Sequence, residues 1–140
     1  MTSIKSGSCL CKAIQYQLTA PPDQMFVCHC NNCQKSSGSV FMANCIFQKD
    51  QLQIIQGHDS LRTYHDSSTR SGSTLERSFC AICGSSLFVC QHTGEPVQHL
   101  AVTSGTIDQR EDLHPTIEVW ERDRRPWLSP VEGIPKMQTQ

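Results

Sequence analysis

No stretch of this sequence is apolar for long enough to cross a membrane; its longest clean apolar runs have the length of strands. The opening residues, MTSIKSGSCLCK, lack the apolar core of a signal peptide. Charge of one sign is equally scarce. Twelve Lys and Arg stand against 13 Asp and Glu, and a net charge of −1 offers no field to recruit nucleic acid or an anionic membrane. Repeats, coiled-coil heptads and low-complexity tracts are absent, and helical periodicity is sparse. These absences predict a soluble, cytoplasmic protein in a compartment that keeps thiols reduced. With 140 residues, 37% of them hydrophobic and 18% charged, the chain is long enough for one domain with a real core.

What is present is a series of short apolar runs cut by turn residues. Residues 13–18 alternate apolar and polar with period two, the pattern of a half-buried strand. Pro21 and Pro22 break it before a strand at Met25–Val27, and residues 40–47 read as a strand buried on both faces. Strands at 52–55 and 61–64 are expected to pair around the Gly57–Ser60 turn. Further strands are expected at 75–79, 86–89, 97–102 and 117–120. Helix is limited to a turn or two at 31–36 and a short turn at 108–113. The fold class is therefore mainly β, one domain over residues 1–130. Residues 131–140 are expected to be a flexible tail, because Pro130, Gly133 and Pro135 punctuate a segment with little to bury.

The nine cysteines are an odd number, and seven lie in tight motifs, a poor disulfide framework but the spacing of metal ligands. Cys9 and Cys11 form a CxC, and extended backbone sends both thiols to one face. Cys80 and Cys83 form a CxxC followed by Gly84, the arrangement of a zinc knuckle. Together they supply four thiolates, a closed tetrahedral zinc site of structural type. Cys28, Cys30 and Cys33 form a CxCxxC, three sulfurs in six residues that can cup a second zinc. Three protein ligands and one open position is the pattern of a catalytic zinc, and a soft all-thiolate ion favours a substrate thiol there. Cys45, Cys90, His29 or His92 as a fourth ligand would make the site structural instead. His29 is the least suited, since it sits between two ligands and should point away from their metal.

At these motifs the sequence resembles the glutathione-dependent formaldehyde-activating enzyme family, which includes centromere protein V. The resemblance is carried by GSCLC with AIQY, CHCNNCQKSSGS, RSFCAICGSSL and SGTID, and runs from about Gly7 to Trp127. It implies a β-tent fold of short antiparallel strands with two zinc ions per chain. The structural ion would be held by Cys9, Cys11, Cys80 and Cys83, the catalytic ion by Cys28, Cys30 and Cys33. It also implies carbon–sulfur lyase chemistry, the addition of glutathione to formaldehyde and its reversal. Two positions depart from the family pattern: Lys12 where glycine usually follows the CxC, and Gln34 where arginine is common.

Other residues carry narrower expectations. The Lys35-Ser36-Ser37-Gly38-Ser39 run is either a plain polar loop or one whose N–H groups and hydroxyls meet a substrate carboxylate, with Lys35, Ser37 and Gly38 the candidate glutathione contacts. Arg77 is either a ligand for an anionic substrate or a paired surface charge. His58, His65, His92, His99 and His114 show no pair at metal spacing, and His92 or His99 is the candidate acid–base partner. The mixed-charge run 121–125 lacks the aromatic interleaving of a nucleic-acid site, so no such partner is expected. Trp120 and Trp127 are expected to close the core or a contact between identical subunits. Two functions follow: a zinc-dependent lyase acting on a small thiol or thiol adduct, or a non-catalytic zinc scaffold for a protein or nucleic-acid partner.

Overall fold

The structure, a computed structural model, describes residues 4–140. Along the chain run β1 (Lys5–Ser8), β2 (Gln15–Leu18), β3 (Gln24–Cys28), α1 (Asn31–Ser37), β4 (Met42–Gln48), β5 (Leu52–Gln56), β6 (Leu61–Asp66), β7 (Thr74–Cys80), β8 (Ser86–His92), β9 (His99–Thr103) and β10 (Ile117–Val119). They form two open sheets, ordered β1-β2-β5 and β10-β3-β4-β9-β8-β7-β6. Every pairing is antiparallel except that of β10 on β3. The mainly β class with one short helix is as the sequence predicts. No helix among the described residues is long and apolar enough to cross a membrane.

The core lies between the two sheets. Period-two alternation in β2 turns Tyr16 and Leu18 inward, and with Ile14 they meet Phe47, Leu87, Phe88 and Val102 of the larger sheet. Tyr16 packs edge-on against Phe88 at 5.4 Å, and its hydroxyl shares a 2.8 Å hydrogen bond with Thr106. Each such buried side chain contributes about 1.5–3 kcal/mol. The Tyr16 ring lies so close over β1 that a Cβ on Gly7 would collide with it and with the Thr106 carbonyl.

One expected pairing does not form. β5 and β6 are not partners: β5 joins β2, with Leu52 opposite Leu18 and Ile54 opposite Tyr16, while β6 pairs with β7. Between them Gly57, at φ +87°, turns the chain from one sheet to the other against the Ala13 carbonyl, where a Cβ would overlap the backbone. The segment 131–140, read from sequence as a flexible tail, runs beside β10 through residues 135–139. Glu118 N donates to the Pro135 carbonyl at 3.0 Å, Met137 N to the Glu118 carbonyl at 2.8 Å, and Trp120 N to the Thr139 carbonyl at 3.3 Å. The strap is held by backbone bonds, which leave no apolar pattern in a sequence.

Candidate metal centres and their pocket

The first thiol group joins the two sheets. Cys9 and Cys11 sit in the turn between β1 and β2; Cys80 ends β7 and Cys83 sits in the turn between β7 and β8. The Leu10 amide donates to the Ser85 hydroxyl at 2.9 Å, tying the two turns together. Cys9 Sγ lies 3.6 Å from Cys11 Sγ, and Cys11 Sγ 3.8 Å from Cys80 Sγ. A tetrahedral zinc with bonds of about 2.3 Å to sulfur requires sulfurs about 3.8 Å apart, so this donor set fits the ion. Ile14 N and Ile82 N donate to Cys9 Sγ and Cys80 Sγ, each at 3.3 Å, the kind of support a thiolate requires. Hydrogen bonds from the Ser85 side chain and backbone push the Cys83 thiol down to about 5. Gly84 takes φ +78°, as the knuckle needs. Lys12, directly after the CxC, takes φ +65°, so the position where the family uses glycine is left-handed here too.

The second thiol group is local. β3 ends at Cys28, and Cys30 caps α1, its Sγ accepting from Cys33 N at 3.2 Å. That cap turns Cys33 back toward Cys28, and the three sulfurs lie within 4.8 Å of one another. Among the described residues no fourth His, Cys, Asp or Glu joins this group. His29 points to the other side, sharing a 2.9 Å hydrogen bond with Glu118 where both side chains are buried. Gln34, at the second departure from the family pattern, donates to the His29 carbonyl at 2.7 Å and so fastens α1 to the cup. Hydrogen bonds from Cys28 and Cys33, with Arg77 nearby, hold the Cys30 thiol far below its usual range. Cys28 is pushed up by its bonds to Cys30 and Cys33 and by burial.

The cup opens into a cavity of about 290 Å3 whose wall includes Asn44, Arg77, Val89, Trp120 and His99. Arg77 is buried on β7, its Nε donating to Asp66 Oδ2 at 2.9 Å. Asn32 Nδ2, on α1, donates to both Asp66 oxygens at 3.0 Å. One carboxylate therefore positions a cation and the helix carrying Cys33 together. Arg77 Nη2 and Asn44 Oδ1 are buried without a hydrogen-bond partner. Trp120 takes φ +55°, a costly conformation for a bulky residue, and packs with Cys28 and Cys33 while Arg70 stacks over its ring at 5.9 Å.

The sequence profile of the glutathione-dependent formaldehyde-activating enzyme family matches residues 4–123, which take in both thiol groups. The chain belongs to this family. Two curated relatives match part of it. One is an uncharacterized lyase of Schizosaccharomyces pombe, 32% identical over 64% of this chain and 59% of that protein. The other is a Halomonas elongata protein provisionally named a glutathione-dependent formaldehyde-activating enzyme, 29% identical over 59% of this chain and 54% of its own length. The matches thus span little more than half of each curated relative. A crystal structure of a Rhodobacter sphaeroides protein shares the fold, with a TM-score of 0.57 at 19% identity over 94% of this chain and 98% of that one.

In this member of the formaldehyde-activating family, the other predicted residues divide. Lys35 lines a second cavity beside Arg77, whereas Ser37 and Gly38 line neither cavity. They form the C-terminal end of α1, where Gly38 N donates to the Gln34 carbonyl and Ser37 Oγ to the Phe41 carbonyl. Lys35 and Ser36, within the expected helical turn, and Ser37 beyond it thus make the last turn of α1, and Gly38 caps it. Cys45 is fully buried in the core. Cys90 bonds Glu76 Oε2 at 3.3 Å. Sequence reasoning missed the importance of Asp66, and it missed the meeting of His65 and His92 on either side of Glu76. Strand register alone brings these together.

Proposed function

We propose that the chain is a zinc-dependent carbon–sulfur lyase that forms or cleaves the adduct of a glutathione-type thiol with a small carbonyl carbon, like an S-hydroxymethylglutathione synthase. The observation that carries the reading is a three-thiol cup facing a cavity, with no fourth ligand from the described chain. Family membership and the lyase name of one relative support the reaction type. In this reading Cys9, Cys11, Cys80 and Cys83 hold a structural zinc, and Cys28, Cys30 and Cys33 hold the catalytic one. Cys28, Cys30 and Cys33 would hold the zinc, which when bound would lower the pKa of a substrate thiol so that its sulfur is nucleophilic near neutral pH.

The chain's own residues do the rest. Arg77, held by Asp66, places positive charge beside the reacting sulfur. Its unpartnered Nη2 is a donor for the carbonyl oxygen as negative charge develops there. Trp120 and Val89 keep water from the adduct. In the forming direction one carbon–sulfur bond is made and the thiol proton ends on the carbonyl oxygen. Cleavage returns that proton to sulfur. His99, on the cavity wall, is the group we assign to carry it, and Lys35 the cation for a substrate carboxylate.

Zinc-edge X-ray absorption tests the reading. On protein loaded with only two zinc ions per chain, seven sulfurs are expected in the resting state, rising to eight with glutathione, and Cys30→Ser should abolish the rise while far-UV circular dichroism is retained. A fourth protein ligand at both ions, unchanged by glutathione, would favour the scaffold reading instead.

A further inference from the structure

His65 on β6, Glu76 on β7 and Cys90 on β8 lie directly opposite one another across three hydrogen-bonded strands. Opposite residues share a face of the sheet, and His92, two residues beyond Cys90, shares it as well. His65 Nε2 lies 3.3 Å and His92 Nδ1 3.7 Å from the same carboxylate oxygen, Glu76 Oε1. The three ligand atoms all lie within 4.8 Å of one another, and the two imidazole rings meet edge to face at 5.0 Å.

A single ion pair accounts for only one of these contacts, because a second charged ring 5.0 Å from the first would be repelled. Two neutral rings can each donate an N–H to Glu76 Oε1, or in the other tautomer turn both lone pairs to an ion held beside that oxygen. A divalent cation uses the second arrangement, binding neutral imidazole nitrogens and a carboxylate together. Zinc bonds of about 2.0–2.1 Å to nitrogen and oxygen place tetrahedral ligands about 3.3–3.4 Å apart, close to the 3.3 and 3.7 Å from each ring nitrogen to the carboxylate oxygen. The remaining carboxylate oxygen, Oε2, is 3.3 Å from Cys90 Sγ, an outer partner that fixes the carboxylate's orientation.

We infer that His65, Glu76 and His92 form a third cation site, selective for zinc-class divalent ions and separate from both thiol groups. Its two histidines are about half exposed, so the ion enters from solvent and keeps water in its remaining positions. Sheet backbone, not loop, sets all three Cα positions, which limits the ordering cost of binding.

The test is zinc binding by equilibrium dialysis on the protein as purified, with His92→Ala and Glu76→Gln alongside. Wild type is expected to take up one zinc per chain more than His92→Ala, and Glu76→Gln to bind that equivalent at least tenfold more weakly. Equal uptake by wild type and both variants would overturn the site. A variant-free measurement stands beside it. Added zinc should protect His65 and His92, and not His58 or His114, from acylation by diethyl pyrocarbonate mapped on peptides. Protection absent at both histidines would also overturn it. Both readouts compare like with like, so they hold whatever the thiol groups carry.

Discussion

The two thiol groups differ less in chemistry than in how far apart their members lie along the chain. Cys11 and Cys80 are separated by 69 positions, whereas Cys28, Cys30 and Cys33 lie within one turn and a helix cap. Closing the long loop costs about 4 kcal/mol in chain entropy and the short one about 1.6 kcal/mol. An ion at the first group must offset that loop, so its binding energy is spent on joining the two sheets. At the second group the β3–α1 turn has already gathered the sulfurs, and the ion's affinity is left over for exchanging an outside ligand. In the proposed reading, sequence separation is what divides a clamp from a reactive centre.

The largest effect that would break this comparison is at the clamp. Cys83→Ser is expected to unfold the chain, because structural zinc contributes about 10–16 kcal/mol in small domains, as much as a whole domain's stability. Circular dichroism and denaturant titration would show it, and an unchanged transition would mean that the clamp is dispensable. Asp66→Ala comes next, at about 3–5 kcal/mol, since it strands Arg77 buried beside the cup.

The same pair gives a pH test. Burial would raise the Asp66 pKa, but Asn32 and Arg77 outweigh it and hold it below the usual carboxylate range. A depressed carboxylate contributes stability that is fully present above the unfolded value near ~3.9 and lost as pH falls through the folded value. Wild type should therefore lose stability across that acid window more steeply than Asp66→Asn.

Cys30→Ser should cost about 1 kcal/mol or less, because serine is itself a favoured helix cap; the loss should fall on glutathione binding. The smallest effect has the opposite sign. Lys12→Gly relieves a left-handed lysine in the clamp turn and should raise stability by about 0.5–1 kcal/mol, read as an increase in Tm.

Both thiol groups could be read from spacing because a CxC, a CxxC or a CxCxxC acts through local backbone geometry. The alternation at 13–18 and the apolar run at 40–47 likewise placed β2 and β4. What sequence did not reveal depends on partners far along the chain. Arg77 reads as surface charge until Asp66, opposite Leu75 on the neighbouring strand, and Asn32 from α1 are seen around it. β5 carries no mark that it will choose β2 over β6. His65, Glu76 and His92 are separated by turns whose lengths set the register, and no motif encodes that. Glu118 is similarly opaque: a charged residue within a short strand, it is buried because His29 and the Val131 amide meet it.

The order of the motifs also sets a schedule. A chain made at about 5–20 residues per second exposes the CxCxxC some 2.5–10 seconds before Cys83 is added. In that interval the cup exists as a turn without its cavity, for β7, β8 and Trp120 have yet to be made. Its three thiols are then the first on the chain able to chelate a metal, and the first open to oxidation. Cys9 and Cys11 wait longer for their partners, because no local geometry can complete their site. In the proposed reading, ion loading would begin at the CxCxxC, and the group joining the two sheets would close afterwards over a chain already carrying metal.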